Sequence, residues 1–160
     1  MLDPSETFSG VCLFVDHASS FMSIKHQVAV NVIETVKAKQ TFNRDDQNQG
    51  AEIKGYHTDN RVFNAPNFIE CLLNMHKNIQ FCVSGASHQN GAAESAIKTL
   101  VTMGKTMLIH TVIRFIEENF PTDICSMAIQ YDVCIYNQIH EIHPGLSAIE
   151  ICSKLRFDLV

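Results

Sequence analysis

A repeated switch of hydrophobic period limits how this chain can fold more than any other feature of it. Residues 10–15, Gly-Val-Cys-Leu-Phe-Val, are an apolar run of strand length that stops at Asp16. Residues 21–27, Phe-Met-Ser-Ile-Lys-His-Gln, alternate loosely and suit a hairpin partner reached through the polar residues 16–20. From Val28 the period lengthens. Ala29, Val32, Ile33 and Val36 follow the i, i+3, i+4, i+7 template of an amphipathic helix, expected to run to about Phe42 before a polar loop over 43–50. Residues 51–58 read as a strand ending at Asp59. Pro66 suits the first turn of a helix continuing to about Lys77, and 79–83 is a third buried-strand candidate. A polar loop over 84–90 leads into a long helix over 91–110, with Ile97, Leu100, Val101, Gly104, Met107 and Leu108 as its apolar stripe. A further helix is expected over 122–137, a turn at Pro144-Gly145, and a short helix within 146–155. Strands alternating with helices predict an α/β sheet layered with helices, in one domain over 8–155.

Composition narrows the class. The 160 residues fit one domain with a proper core, and 46% apolar with 18% charged residues is ordinary for a soluble globular protein. No stretch approaches the roughly 18 consecutive apolar residues of a membrane span, so no membrane partner is expected. The N-terminus has no basic region followed by an apolar run, so reduced thiols are expected for the six cysteines. Cys71, His76, Cys82 and His88 are spaced unlike paired zinc ligands, and no zinc site is expected. A net charge of −5 argues against strong free-standing nucleic-acid binding, which rests mainly on Lys and Arg at phosphates. It is compatible with an enzyme whose carboxylates bind cations first.

Asp16 and Asp59 stand where predicted strands end, and Glu94 stands in the first turn of the long helix. In open α/β sheets, sites gather at strand carboxyl ends. Three converging carboxylates repel one another and need cations, and hard oxygen ligands suit Mg2+ or Mn2+. Two such ions can serve an in-line phosphoryl displacement. At about 100° per residue, Glu94, Lys98 and Lys105 share one helix face, which suits a hold on a DNA backbone. Taken alone, Glu94 and Lys98 better suit a solvated i, i+4 pair, and each aspartate a turn residue.

Three segments carry a resemblance: Phe14-Val15-Asp16-His17-Ala18-Ser19-Ser20, Tyr56-His57-Thr58-Asp59-Asn60, and Ser87-His88-Gln89-Asn90-Gly91-Ala92-Ala93-Glu94. Together they resemble the retroviral-integrase core family, most closely its copia-type retrotransposon branch. The 34 residues between Asp59 and Glu94 are one fewer than in the family's Asp, Asp-35-Glu signature. The run from His143-Pro144-Gly145-Leu146 to Glu150 also resembles the end of copia-type cores. Arg61 and Ser95 depart from the residues usual there, and the chain has no tryptophan.

The resemblance implies a ribonuclease H-like mixed sheet flanked by helices. It implies Asp16, Asp59 and Glu94 as catalytic metal ligands, with Mg2+ or Mn2+ as two ions, and Lys98 as a DNA contact. Lys105, Asn60, His88, Gln89 and Asn90 join the expected DNA contacts. The chemistry implied is cleavage of element ends and their joining to target DNA, by a homo-oligomer, in the nucleus for an active copy. Nothing here resembles the family's His-His-Cys-Cys zinc module or basic C-terminal region, so a core without them is expected. Two other readings stay open: a decayed or co-opted fold that binds nucleic acid or protein, and another nuclease of this fold acting on RNA–DNA hybrids.

Overall fold

A computed structural model describes residues 8–48, 53–58, 62–74, 77–82, 91–115, 124–139 and 141–154. In chain order its elements are β1 (Gly10–Val15), β2 (Met22–Gln27), α1 (Val32–Asn48), β3 (Gly55–Thr58), a 3-10 turn (Val62–Asn64), α2 (Pro66–Leu73), β4 (Asn78–Phe81), α3 (Gly91–Arg114), α4 (Ile124–Ile139), β5 (Glu141–His143), β6 (Leu146–Ser147) and α5 (Ala148–Ser153).

β1 and β2 form the expected antiparallel hairpin, with Leu13 opposite Ile24 and Val15 opposite Met22. Side chains alternate across a strand, so Leu13 and Val15 face one way and Cys12 and Phe14 the other. The first face, with Met22 and Ile24, packs on Ala96 and Leu100 of α3 and Val133 of α4. The second packs on Ala38 and Phe42 of α1, with the Phe14 and Phe42 rings stacked 4.2 Å apart. Helices therefore cover both faces of β1. That is why its residues form a continuous apolar run and not an alternating one.

Burial pushes the Cys12 thiol, in the second cluster, up to about 12. Alkylation at pH 8 is expected to modify the exposed Cys125 and Cys134 first and to reach Cys12 only on unfolding, as peptide mass spectrometry would show.

Two expected helix faces are corrected. α1 begins at Val32, where the Asn31 side chain accepts a hydrogen bond from the Glu34 amide (2.9 Å) as an N-cap. It buries Thr35, Ala38, Lys39, Phe42 and Asn43, while Ile33 of the expected stripe is 66% exposed. Polar groups fill that buried face because each has a partner. Gln27 donates to the Thr35 hydroxyl (3.1 Å), Lys39 to Cys71 Sγ (3.4 Å), and the Tyr56 hydroxyl to Asn43. The stretch expected as a loop over 43–50 instead continues α1 to Asn48, held by a 2.7 Å ion pair from Lys25 to Asp45.

In α3 the buried face is Ala96, Leu100 and Gly104, whereas Ile97 and Val101 are 50% and 44% exposed. Gly104 sets this rotation. A Cβ there would lie 3.1 Å from Asp132 Oδ2 and 3.6 Å from Ile129 Cγ1, so α4 crosses α3 against bare backbone. The largest side chains therefore do not mark the contact.

α4 also locks the hairpin. The Met22 amide donates to Asn137 Oδ1 (2.9 Å), and Asn137 Nδ2 donates to the Met22 carbonyl (2.7 Å), both buried. Asn137→Leu strands two buried backbone groups. It is expected to cost about 1–3 kcal/mol of stability, and a urea midpoint equal to wild type would contradict the clamp.

β3 and β4 pair in parallel, with Gly55 opposite Asn78 and Thr58 opposite Phe81. α2 starts at Pro66, which has no amide to lose there, and buries Phe68 and Leu72. β5 and β6, not anticipated, flank the expected turn at Gly145, whose φ of 76° favours glycine. Ser147 and Glu150 form a capping box that starts α5 at Ala148. Parallel and antiparallel pairing are thus both present. Among the described residues they form three two-stranded ladders, where one mixed sheet was expected. β1 and β3 meet through side chains, with Cys12, Phe14, Tyr56 and Phe63 in one cluster.

Candidate functional site

Asp16 sits where β1 ends and the chain reverses. Its amide donates to the Phe21 carbonyl (2.8 Å), which closes the ladder, and the Ser20 amide donates to the Asp16 carbonyl (2.8 Å). Asp16 Oδ2 accepts from the Ser19 amide (2.8 Å) and the Ser19 hydroxyl (2.5 Å). The buried Ser19 hydroxyl also accepts from the Phe21 amide (3.2 Å), and Ser20 takes a φ of 55°. Short polar side chains stabilise tight turns in this way, by replacing backbone partners that the reversal removes. One carboxylate oxygen of Asp16 is therefore committed to the turn. The other has no hydrogen-bond partner among the described residues, and Asp16 is exposed. It can serve a cation as a monodentate ligand.

Glu94 lies in the first turn of α3 and is exposed. One apolar cluster holds both Val15, the residue before Asp16, and Ala96, two residues after Glu94. Packing of α3 on β1 thus brings the start of the helix toward the end of the strand. Lys98 and Lys105 are exposed on the Glu94 side of α3. Among the described residues, ion pairs join Lys25 to Asp45, Lys37 to Glu34 and Arg44 to Asp45. Asp16, Glu94, Lys98 and Lys105 take part in none of these, and the i, i+4 pair of Glu94 with Lys98 is not formed.

Asp59, Asn60, His88, Gln89 and Asn90 lie outside the described residues. The described chain reaches Thr58, buried at the end of β3, whose carbonyl accepts from the Cys82 amide (2.9 Å). Beside it, His57 Nε2 lies 3.0 Å from Cys82 Sγ. Among the described residues no three metal-ligating side chains come together, two of the three expected carboxylates being within that set. The part played by Ser19 was not anticipated, although the Asp-x-x-Ser spacing signals such a turn. The clamp at Asn137 had no local signal, because its partner Met22 is 115 residues away.

Against solved structures, the chain is similar to the integrase catalytic core domain of HTLV-2 in complex with magnesium in a trimeric form. The TM-score is 0.64 and identity 20%, over 88% of this chain and 84% of that one. It is similar to the catalytic core domain of BIV integrase, with a TM-score of 0.66 and 12% identity, over 90% and 85% of the two chains. The fold resembles that of retroviral integrase catalytic cores. An intasome of simian T-cell lymphotropic virus, in complex with the PP2A regulatory subunit B56 gamma, is also similar. Its TM-score is 0.72 at 12% identity, over 99% of this chain and 63% of that one. No family model matches the sequence, and no curated protein matches it. At these identities the similarity is one of fold.

Proposed function

We propose that this chain is an integrase-type catalytic core, of the copia-type branch, acting in DNA integration by metal-dependent phosphodiester cleavage and strand transfer. The observation that carries the reading is a fold resembling integrase cores in which Asp16 and Glu94 are exposed and, among the described residues, take part in no ion pair. Exposed carboxylates of this kind are hard oxygen ligands suited to Mg2+ or Mn2+. One Asp16 oxygen and the Glu94 carboxylate, with Asp59, would hold two such ions. When bound, the ions neutralise developing charge and lower the pKa of an attacking water or hydroxyl. Lys98 and Lys105 would hold the phosphate backbone along the Glu94 face of α3, with Asn60, His88, Gln89 and Asn90 as further DNA contacts. Because the chain carries −5, DNA binding is expected to strengthen once cations occupy the carboxylates. The HTLV-2 core is trimeric in one form and the simian virus structure is an intasome, which supports a homo-oligomer.

The bonds from Ser19 to Asp16 favour a second reading. A turn role accounts for Asp16 without any metal, as in a decayed or co-opted core that binds DNA or protein. Manganese titration followed by thermal unfolding separates the two. Under the first reading the wild-type chain is stabilised by about 2.7 kcal/mol at one hundred times Kd, its Tm rises accordingly, and the rise is lost in Asp59→Asn. An unchanged wild-type Tm puts the second reading ahead.

A further inference from the structure

Among the described residues, β2 pairs with β1 alone. Its other edge is partly occupied in an instructive way. The Met22 N–H and C=O both point away from β1 and are bonded by the Asn137 amide, which presents a carbonyl and an N–H much as a neighbouring strand would. Backbone groups alternate between the two edges of a strand with period two. The N–H and C=O of Ile24 and His26 therefore point to this same edge. Neither a ladder nor another hydrogen bond engages them among the described residues.

These peptide groups lie along a groove of about 770 Å3 between α1 and α4. Lys37 and Thr41 line one wall, and Gln130, Cys134 and Gln138 line the other. His26 and Gln130 both line the groove, and the His26 ring nitrogens are buried. Lys37 pairs with Glu34 and Lys25 with Asp45, so the charges at the α1 wall are neutralised within the chain. A charged ligand gains little here, whereas an uncharged one can use the backbone edge.

We propose that this groove binds an extended, uncharged peptide segment of a partner protein as a third strand beside β2. Four backbone hydrogen bonds would form at Ile24 and His26, and alternate side chains of the peptide would face the α1 and α4 walls. At about 3.4 Å per residue, residues 24–27 span roughly 10 Å, so the segment engaged is four or five residues long. The Asn137 amide marks where it stops. This surface is separate from the carboxylates and independent of the activity proposed for them.

The test selects a displayed library of random heptapeptides on the full chain. Counter-selection uses Cys134→Trp and Gln138→Trp, two exposed positions whose indole would fill the groove, each first shown to unfold at the wild-type temperature. Peptides with alternating apolar residues are expected, weakened at least about tenfold by either variant. In amide hydrogen exchange, Ile24 and His26 should exchange freely alone and become protected with peptide. Ser23 and Lys25, whose amides face β1, should be protected throughout. Recovery of no groove-dependent peptide overturns the proposal. So does binding that leaves the Ile24 and His26 amides unprotected, as a helical or side-chain-only ligand would.

Discussion

Glu94→Gln is expected to lower manganese-dependent nicking and strand transfer on duplex DNA by about a thousandfold or more, with the fold unchanged. Glu94 takes part in none of the ion pairs of the described residues and lies on the solvated side of α3, so an isosteric amide costs the helix little. The neutral amide, however, loses the charge that would hold a cation against developing negative charge. A thousandfold loss corresponds to about 4 kcal/mol of transition-state stabilisation, within what a metal ligand of this kind supplies. Lys98→Ala should behave differently. It should weaken DNA binding of every sequence and reduce the salt dependence by about one counterion, without abolishing the chemistry. Full activity in Glu94→Gln would remove that residue from the site. A wild-type chain inactive with manganese would support the binding-module reading, in which Asp16 serves the turn alone.

The hairpin and the order of strands and helices were legible because local chemistry and tertiary packing agree there. β1 is apolar on both faces since α1 covers one and α3 with α4 the other, and Asp16 to Ser20 has the composition of a reversal. The register of α1 was not legible from hydropathy. Val28, Val30 and Ile33 are apolar yet exposed, while Thr35, Lys39 and Asn43 are polar yet buried with partners. The Asn31 cap was the better signal, as a side chain that satisfies an orphan amide fixes a helix start more sharply than periodicity does. The α3 face was legible in part. Leu100 and Gly104 of the expected stripe are buried, but Ile97 and Val101 are exposed, because close helix crossing is set by where backbone can approach, at Gly104, and not by the bulk of apolar side chains. For the site, the carboxylates were legible as residue types at strand and helix ends. That Asp16 shares an oxygen with Ser19 depends on the geometry of the turn.

Asp132 should make this fold less stable as pH rises. Its side chain lies in the α3–α4 crossing, 1% exposed, with Oδ2 beside Gly104 and without a hydrogen-bond partner. Burial favours the neutral acid and raises its pKa above the ordinary value. Below the unfolded pKa, near 4, both states hold the proton and the group has no effect on stability. Above it the unfolded chain releases the proton while the folded chain keeps it. Stability then falls by up to about 1.4 kcal/mol per pH unit until the folded carboxyl also ionises. His26 has the opposite sign: burial lowers its pKa, partly offset by Gln130, so its contribution is lost on acidification. Comparing wild type with Asp132→Asn isolates the carboxyl, because His26 is common to both. In urea unfolding at pH 4, 6 and 8, the amide variant should be close to wild type at pH 4 and increasingly more stable above it. Parallel curves across that range would mean the Asp132 carboxyl titrates alike in the folded and unfolded chain. The α3–α4 crossing would then have to hold a solvated carboxylate, which its 1% exposure beside Gly104 does not accommodate.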